Sequence, residues 1–321
     1  MVYNIHIKHM KHYKIQANKI NKSIEKLLNR IDSHELKKIV TYALDGGKRL
    51  RSVVTIVMGK TINKNVNLEK LAISMELLHN CSLIIDDLPC MDNDKIRRGK
   101  KTLHCEYGET KSQLVVSYLL DKSLKLLQEN IRDIGNIKKF HDSEYVDKIS
   151  IEIYKNINYN LGILGASGGQ FIDTSPINSF INKNEYKNNY ENINNLLNLV
   201  HQKTTTFFEI SFVSAYLLAG GDITKINTLK KFVRFFGLAF QISDDFEDID
   251  EDIKRIKDSN FNPNLICKYG EEKIIEIFNK SINCISNLLN ELNIQNIIFD
   301  ELIEFLKKRV SKNSKFSIIP K

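Results

Sequence analysis

Two groups of aspartates stand at the ends of apolar stretches. Asp86, Asp87 and Asp92 lie in Ser-Leu-Ile-Ile-Asp-Asp-Leu-Pro-Cys-Met-Asp, and Asp244, Asp245 and Asp248 lie in Ala-Phe-Gln-Ile-Ser-Asp-Asp-Phe-Glu-Asp. A carboxylate at the edge of an apolar wall costs free energy unless something compensates it. A hard divalent cation does so readily, because Mg²⁺ takes oxygen ligands from one or two carboxylates together with phosphate groups. In the second group Gln241, Asp244, Asp245 and Asp248 fall at i, i+3, i+4 and i+7, so a helix places all four on one face and turns Phe240 and Phe246 into packing. In the first group Pro89 ends the helix, since the residue before a proline avoids the α region, and Asp92 must return from a short loop. Acidic runs are usually solvated helix ends. That reading is weak here, because both groups abut apolar helices and share one form.

Cations gather at matching places. Lys48, Arg49 and Arg51 follow Gly46-Gly47; Arg97 and Arg98 follow the first acidic group; Lys203 precedes Thr204, Thr205 and Thr206. Arginine suits bidentate phosphate contacts and lysine serves as a point charge. A Gly-Gly turn lets backbone N–H groups approach an anion closely. Any one of these basic groups would pass for ordinary surface. Two acidic and three basic groups together describe metal ions and diphosphates held side by side.

With these residues in view, the chain resembles the trans-isoprenyl diphosphate synthases, or polyprenyl synthetases. The resemblance runs over roughly residues 40–250. It rests on Gly46-Gly47-Lys48-Arg49-Leu50-Arg51, on His79 through Gly99, on Gly168-Gly169-Gln170 with Asp173, on Lys203-Thr204 and on Phe240-Gln241 through Asp248. The six-residue step from Asp86 to Asp92 looks like the geranylgeranyl and bacterial farnesyl diphosphate synthase branch. The resemblance implies an all-α helical bundle of the isoprenoid synthase type with a central active-site cavity, acting as a homodimer. It implies about three Mg²⁺ ions, held by Asp86, Asp92 and Asp244 with Asp87, Asp245 and Asp248 in support. Arg97, Lys203, Thr204 and Gln241 would hold the allylic substrate (dimethylallyl, geranyl or farnesyl diphosphate). Lys48, Arg51, His79 and Arg98 would hold isopentenyl diphosphate, and Arg49 is counted among the substrate-binding residues.

Several positions carry a plainer reading beside the functional one. A lone histidine such as His79 is more often a satisfied core residue than a ligand contact; it stands two helical turns before Asp86, on the same face. Cys81 reads as a small core hydrophobe, yet the resemblance puts it at the floor of the cavity that receives the growing chain, with Leu78 as the next step. A small floor residue favours a product longer than farnesyl. Gln170 and Asp173 are one turn apart and could be an ordinary polar pair or a support for the site. The chain also departs from the family pattern. Ser52 stands where proline is usual, Ile85 where histidine is usual, and Val115-Val116-Ser117 where Ala-Gly-Asp is usual. The stretch Glu251–Pro263 after the second acidic group is short, and Lys254 and Lys257 are the only substitutes there for the lysines that close over the diphosphate.

Composition bounds the rest. Four prolines and fourteen glycines interrupt 321 residues, helical periodicity dominates and β-alternation is scarce, so the chain reads as one all-α domain spanning 1–321. Residues 1–20 read as a basic N-terminal extension and 174–200 as a polar Asn/Lys-rich loop. Five cysteines without a C-x-x-C pair argue against a disulfide framework or zinc site and suggest a reducing compartment. No apolar run approaches the roughly 18 residues of a transmembrane helix. The N-terminus lacks an apolar signal core, so a cytoplasmic enzyme is expected, with organelle targeting as the alternative. The net charge of +8 comes without a nucleic-acid motif and is not read as nucleic-acid binding.

The leading reading is a Mg²⁺-dependent prenyltransferase that joins isopentenyl diphosphate head-to-tail to allylic diphosphates and makes geranylgeranyl diphosphate. Farnesyl or longer products are the alternative within the same chemistry. A non-catalytic partner subunit is the alternative in another class, opposed by the survival of both acidic groups. A terpene cyclase is opposed by the Gly-Gly-Lys-Arg-Leu-Arg site for a second diphosphate.

Overall fold

The computed structural model describes residues 10–135, 143–174, 198, 200–256 and 264–314. Apart from one two-stranded hairpin, the regular structure among the described residues is helical. The helices group into two compact units. One comprises Tyr13–Lys155 and Ile210–Ile223, the other Met1–His12, Asn156–Glu209 and Thr224–Lys321. Each is assembled from separated stretches of chain, so no linker rich in proline or glycine marks the change between them.

In the first unit the chain runs through α1 (Lys11–Leu28), α2 (His34–Leu44), α3 (Leu50–Ile62) and α4 (Glu69–Asp86). A hairpin of β1 (Ile96–Arg97) and β2 (Lys100–Lys101) follows, then α5 (Leu103–Tyr107), α6 (Glu109–Gly135) and α7 (Ser143–Leu161), whose residues from Asn156 on belong to the second unit. From Lys11 onward the basic N-terminal stretch is helix. Tyr13, Ile20, Ile24 and Leu28 bury one face of α1, while its lysines stay outside.

Helix α4 is the spine of this unit, and its apolar surface is buried against α3 and α6. Polar side chains set its spacing from α6. Ser74 Oγ donates to Ser123 O at 2.8 Å and Ser123 Oγ returns a bond to Ser74 O at 3.0 Å. Asn130 Oδ1 accepts from Leu71 N at 2.8 Å, which satisfies one of the N–H groups that a helix start leaves open. On the other side, Ser52 is fully buried and donates to Ala72 O at 2.7 Å. A proline could not make that bond, so the departure at Ser52 has a packing role.

The second unit is built on α10 (Ile226–Ile256), flanked by α11 (Leu265–Tyr269), α12 (Glu271–Leu292) and α13 (Ile297–Asn313). Helix α8 (Ala166–Thr174) and a π-helical turn, His201–Thr205, lead into α9 (Thr206–Leu218), whose residues from Ile210 on belong to the first unit. Aromatic edge-to-face pairs fill the core: Phe208 with Phe236 at 5.4 Å and Phe232 with Phe299 at 6.0 Å between ring centroids. Phe246 is buried and Phe240 lies 5.4 Å from Phe208, as the helical spacing of the second acidic group requires.

Candidate functional site

The first carboxylate group forms at the end of α4. Pro89 stops the helix, and the chain turns back so that Asp92 N donates to Asp86 O at 2.9 Å. This is the loop return the spacing demands. Asp86 is half-buried and Asp92 exposed, so both carboxylates stand at the rim. Asp87 points inward and is buried. Burial pushes its carboxyl above the usual range, against the pull of Arg97. Arg97 Nη2 lies 2.5 Å from Asp87 Oδ1 and 3.3 Å from Asp94 Oδ2.

The hairpin that carries Arg97 and Arg98 turns on Arg98 and Gly99, with φ of 54° and 74°. Two positive φ values at the centre of a two-residue turn give the twist that a right-handed ribbon needs. The turn sends Arg97 back toward Asp87 and sets Arg98 Nη1 3.2 Å from Asp45 O and 3.4 Å from Asn80 Oδ1. Asp45, Asn80, Asp87, Arg97, Arg98 and Lys100 line a small cleft of about 40 Å³.

The three cations after Gly46-Gly47 separate. Lys48 is exposed, and its carbonyl accepts from Tyr13 Oη at 2.6 Å. Arg51 is half-buried, with Nη1 2.9 Å from His79 Nε2. Burial, then the charges of Arg51, Arg98, Arg97 and Arg49, hold the His79 ring well below the usual histidine range. His79 is therefore neutral near pH 7 and accepts from Arg51.

Arg49 turns the other way, which corrects its assignment to the substrate. It is 7 % exposed, with Nη1 on Glu76 Oε1 at 2.8 Å, Nη2 on Leu44 O at 2.6 Å and Nε on Asn21 Oδ1 at 2.8 Å. Its backbone is left-handed, φ 62°, and this conformation swings the side chain inward while that of Lys48 stays exposed.

Cys81 and Leu78 are both buried on α4. Cys81 Sγ donates to Val116 O of α6 at 3.5 Å, and burial pushes its thiol up to about 12. Ile85, where the family has histidine, is exposed.

The second carboxylate group lies on α10. Asp244 and Asp248 reach the surface, and Asp245 is buried. Asp245 Oδ1 accepts from Gln241 Nε2 at 2.7 Å and Oδ2 from Leu265 N at 2.8 Å. Burial nonetheless pushes its carboxyl up to about 7, because desolvation outweighs the two donors. Thr204 Oγ1 donates to Gln241 Oε1, so a chain of hydrogen bonds runs from the π-turn to the carboxylates. A π-turn inside a helix often marks a functional position. Gly237 and Gly169 admit this one. A Cβ on Gly237 would collide with Thr205 Oγ1, and one on Gly169 would sit 2.9 Å from Gln202 O.

Three residues of this unit carry no signal in the motif reading. Arg309 of α13, 2 % exposed, sets Nη1 2.5 Å from Asp244 Oδ1 and Nη2 against Glu247 Oε2. Asn264, at the start of α11, donates to Asp245 O at 2.9 Å. Glu209 is fully buried and takes Lys230 Nζ and Asn160 Nδ2, each at 3.1 Å, while His201 Nδ1 stands 3.8 Å away.

Gln170 is half-buried on α8. The side chains of Asp173, Lys203 and Lys254, all of Lys257, and nearly all of 174–200 lie outside the described residues.

The donor set is all oxygen, and no group of three or more His, Cys, Asp or Glu among the described residues is tight enough to enclose a metal by itself. An all-oxygen set of carboxylates fits a hard cation such as Mg²⁺.

A farnesyl diphosphate synthase of Buchnera aphidicola subsp. Schizaphis graminum is 32 % identical over 309 residues, covering 92 % of this chain and 97 % of its own. A protein named geranylgeranyl pyrophosphate synthase 4 of Arabidopsis thaliana is 30 % identical over 235 residues, 73 % of this chain and 58 % of its own. The crystal structure of a geranyltransferase from Legionella pneumophila superposes with a TM-score of 0.72 at 23 % identity, covering 93 % of this chain and 96 % of that one; it supports the fold. Residues 33–260 match the family described as polyprenyl synthetase, and the chain belongs to that family as a prenyltransferase that makes prenyl diphosphates.

Proposed function

We propose that this enzyme condenses isopentenyl diphosphate head-to-tail with allylic diphosphates and releases geranylgeranyl diphosphate. The observation that carries the reading is the pairing of each rim carboxylate group with its own set of cations and hydrogen-bond donors. Asp86 and Asp92 of the first group and Asp244 of the second would hold Mg²⁺, with Asp87, Asp245 and Asp248 in support. When bound, Mg²⁺ supplies Lewis-acid stabilisation of the charge that develops on the departing diphosphate.

Arg97, Lys203, Thr204 and Gln241 bind and orient the allylic diphosphate. Arg97 is already held in line by Asp87 and Asp94. Lys48, Arg51 and Arg98 bind isopentenyl diphosphate, and neutral His79 holds Arg51 in place by accepting its hydrogen bond. The allylic C–O bond breaks with its electrons going to diphosphate. The double bond of isopentenyl diphosphate attacks the cation, and the diphosphate takes the proton that is lost. Lys254 and Lys257 are the cations available to cover the site.

Cys81 supports a product longer than farnesyl, since a small side chain at this position blocks a growing tail less than a bulky one would. The second reading, farnesyl diphosphate, is favoured by the printed names of relatives such as the Buchnera protein. Leu114, Leu120 and Leu124 along α6 are large, apolar and exposed, which supports a homodimer. Among the described residues no helix is long and apolar enough to cross a membrane, and a cytoplasmic enzyme working as one domain completes the proposal.

The test is incubation with radiolabelled isopentenyl diphosphate, each allylic primer in turn and Mg²⁺, followed by chain-length analysis. A C20 product supports the reading. Product stopping at C15 establishes the second one, and no condensation with any primer refutes both.

A further inference from the structure

We propose that Asn264 is a positioning residue for the metal-binding carboxylates of α10, an inference that rests on the role given above to Asp244 and its neighbours. Asn264 is 1 % exposed and uses both ends of its amide. Its Oδ1 caps α11, accepting from Ile266 N at 3.0 Å and Cys267 N at 3.4 Å. Its Nδ2 donates to Asp245 O and to Asp252 Oδ2, each at 2.9 Å. An amide is the only neutral side chain with an acceptor and two N–H donors at one end, so Asn264 performs both tasks at once.

The two tasks converge on one turn of α10. Leu265 N, the next donor along, binds Asp245 Oδ2 at 2.8 Å. Asp245 is thus gripped at its main-chain oxygen by Asn264 and at its carboxylate by Leu265 and Gln241. Asp244 and Asp248 flank that gripped residue on the same helix, one turn apart. Fixing the backbone at Asp245 fixes the relative placement of the two rim carboxylates. Outer partners of this kind, when removed, cost metal affinity by roughly 10–100-fold.

Capping and positioning separate by mutation. Asn264→Ser keeps an oxygen for Ile266 N and Cys267 N but lacks the N–H groups that reach Asp245 and Asp252. Asn296→Ser makes the same exchange at the start of α13, where Asn296 Oδ1 caps Ile298 N at 2.9 Å, and serves as the control for loss of an asparagine cap. Two readouts are taken on the full-length enzyme: the Mg²⁺ concentration for half-maximal rate, and the rise in melting temperature produced by Mg²⁺ with inorganic diphosphate.

The expected result is a half-maximal Mg²⁺ concentration raised about tenfold or more in Asn264→Ser, a diminished melting shift, and recovery of rate at excess Mg²⁺. Asn296→Ser should move neither readout. An unchanged Mg²⁺ requirement in Asn264→Ser, or a loss of rate that excess Mg²⁺ does not restore, overturns the positioning role. Asp244→Ala is the separate check on the underlying reading. If it keeps full activity, the metal assignment fails; if it is inactive while Asn264→Ser is normal, only the positioning role fails.

Discussion

Replacing Arg49 with alanine strips a buried carboxylate of its cation. Glu76 is 2 % exposed, and Arg49 Nη1 meets its Oε1 at 2.8 Å. Ser52 and Asn80 remain near Glu76, at 3.3 Å and 3.4 Å, but they are neutral donors at the long end of the range. Breaking one side of a buried ion pair costs about 3–5 kcal/mol, because the other charge is left uncompensated. At about 2 °C per kcal/mol for a chain of this size, the melting temperature should fall by roughly 6–10 °C. The measurement is thermal unfolding by circular dichroism, joined to the KM for isopentenyl diphosphate taken well below the transition. Arg49→Ala should melt early yet keep its KM. The double variant Arg49→Met with Glu76→Leu, which removes both charges and fills the same space, should recover most of the loss. A single variant that melts within about 2 °C of the parent while KM rises would show that the guanidinium serves the substrate, and the interior assignment would be refuted.

Arg51→Ala should behave oppositely, raising the KM for isopentenyl diphosphate about tenfold or more through loss of a charged hydrogen bond worth about 1.5–3 kcal/mol; equal effects on the allylic primer would merge the two diphosphate sites. In native protein at pH 8, Cys81 should alkylate far more slowly than exposed Cys90 and Cys267, since burial pushes its thiol up to about 12; peptide mapping by mass spectrometry that finds equal rates would contradict its packing against α6. Cys81→Tyr should shift product toward farnesyl diphosphate and Leu78→Ala should lengthen it; unchanged chain lengths in both would show that the tail does not pass these residues. Gly237→Ala should cost about 1–3 kcal/mol by overpacking the π-turn and should lower kcat, because Lys203 and Thr204 ride on that turn; a normal melting curve with normal kcat would mean that the turn has room to spare.

The sequence was most legible where the chemistry is local. Asp86 and Asp92 come together because one proline ends one helix and six residues suffice for the return. Gln241, Asp244, Asp245 and Asp248 share a helix, so their grouping follows from helical period. Where a motif packs equivalent residues in a row, the pattern runs out. Lys48, Arg49 and Arg51 look alike as cations near a Gly-Gly turn. Which one faces inward is decided by a positive φ at Arg49 and by a glutamate 27 residues later on α4. Neither is marked by the motif. Arg309 and Asn264 were missed for the same reason: their partners on α10 are 65 and 19 residues away.

Glu209 left a signal that can be read back. It is the one charged residue in the run Phe207–Ala219, and an ionisable group in so apolar a helix must be paired or neutral. The run therefore announces that partners exist without saying which. They come from two further stretches of chain, Asn160 on α7 and Lys230 on α10, and their joint effect is to tie the base of α9 beside the π-turn. The glycines at 169 and 237 make the same point from the other direction. Each marks a place where a side chain would not fit, and only the fold shows that what needs the space is the turn bearing Lys203 and Thr204. A motif thus gathers groups by their chemistry, while the residues that hold those groups in place are chosen by long-range packing.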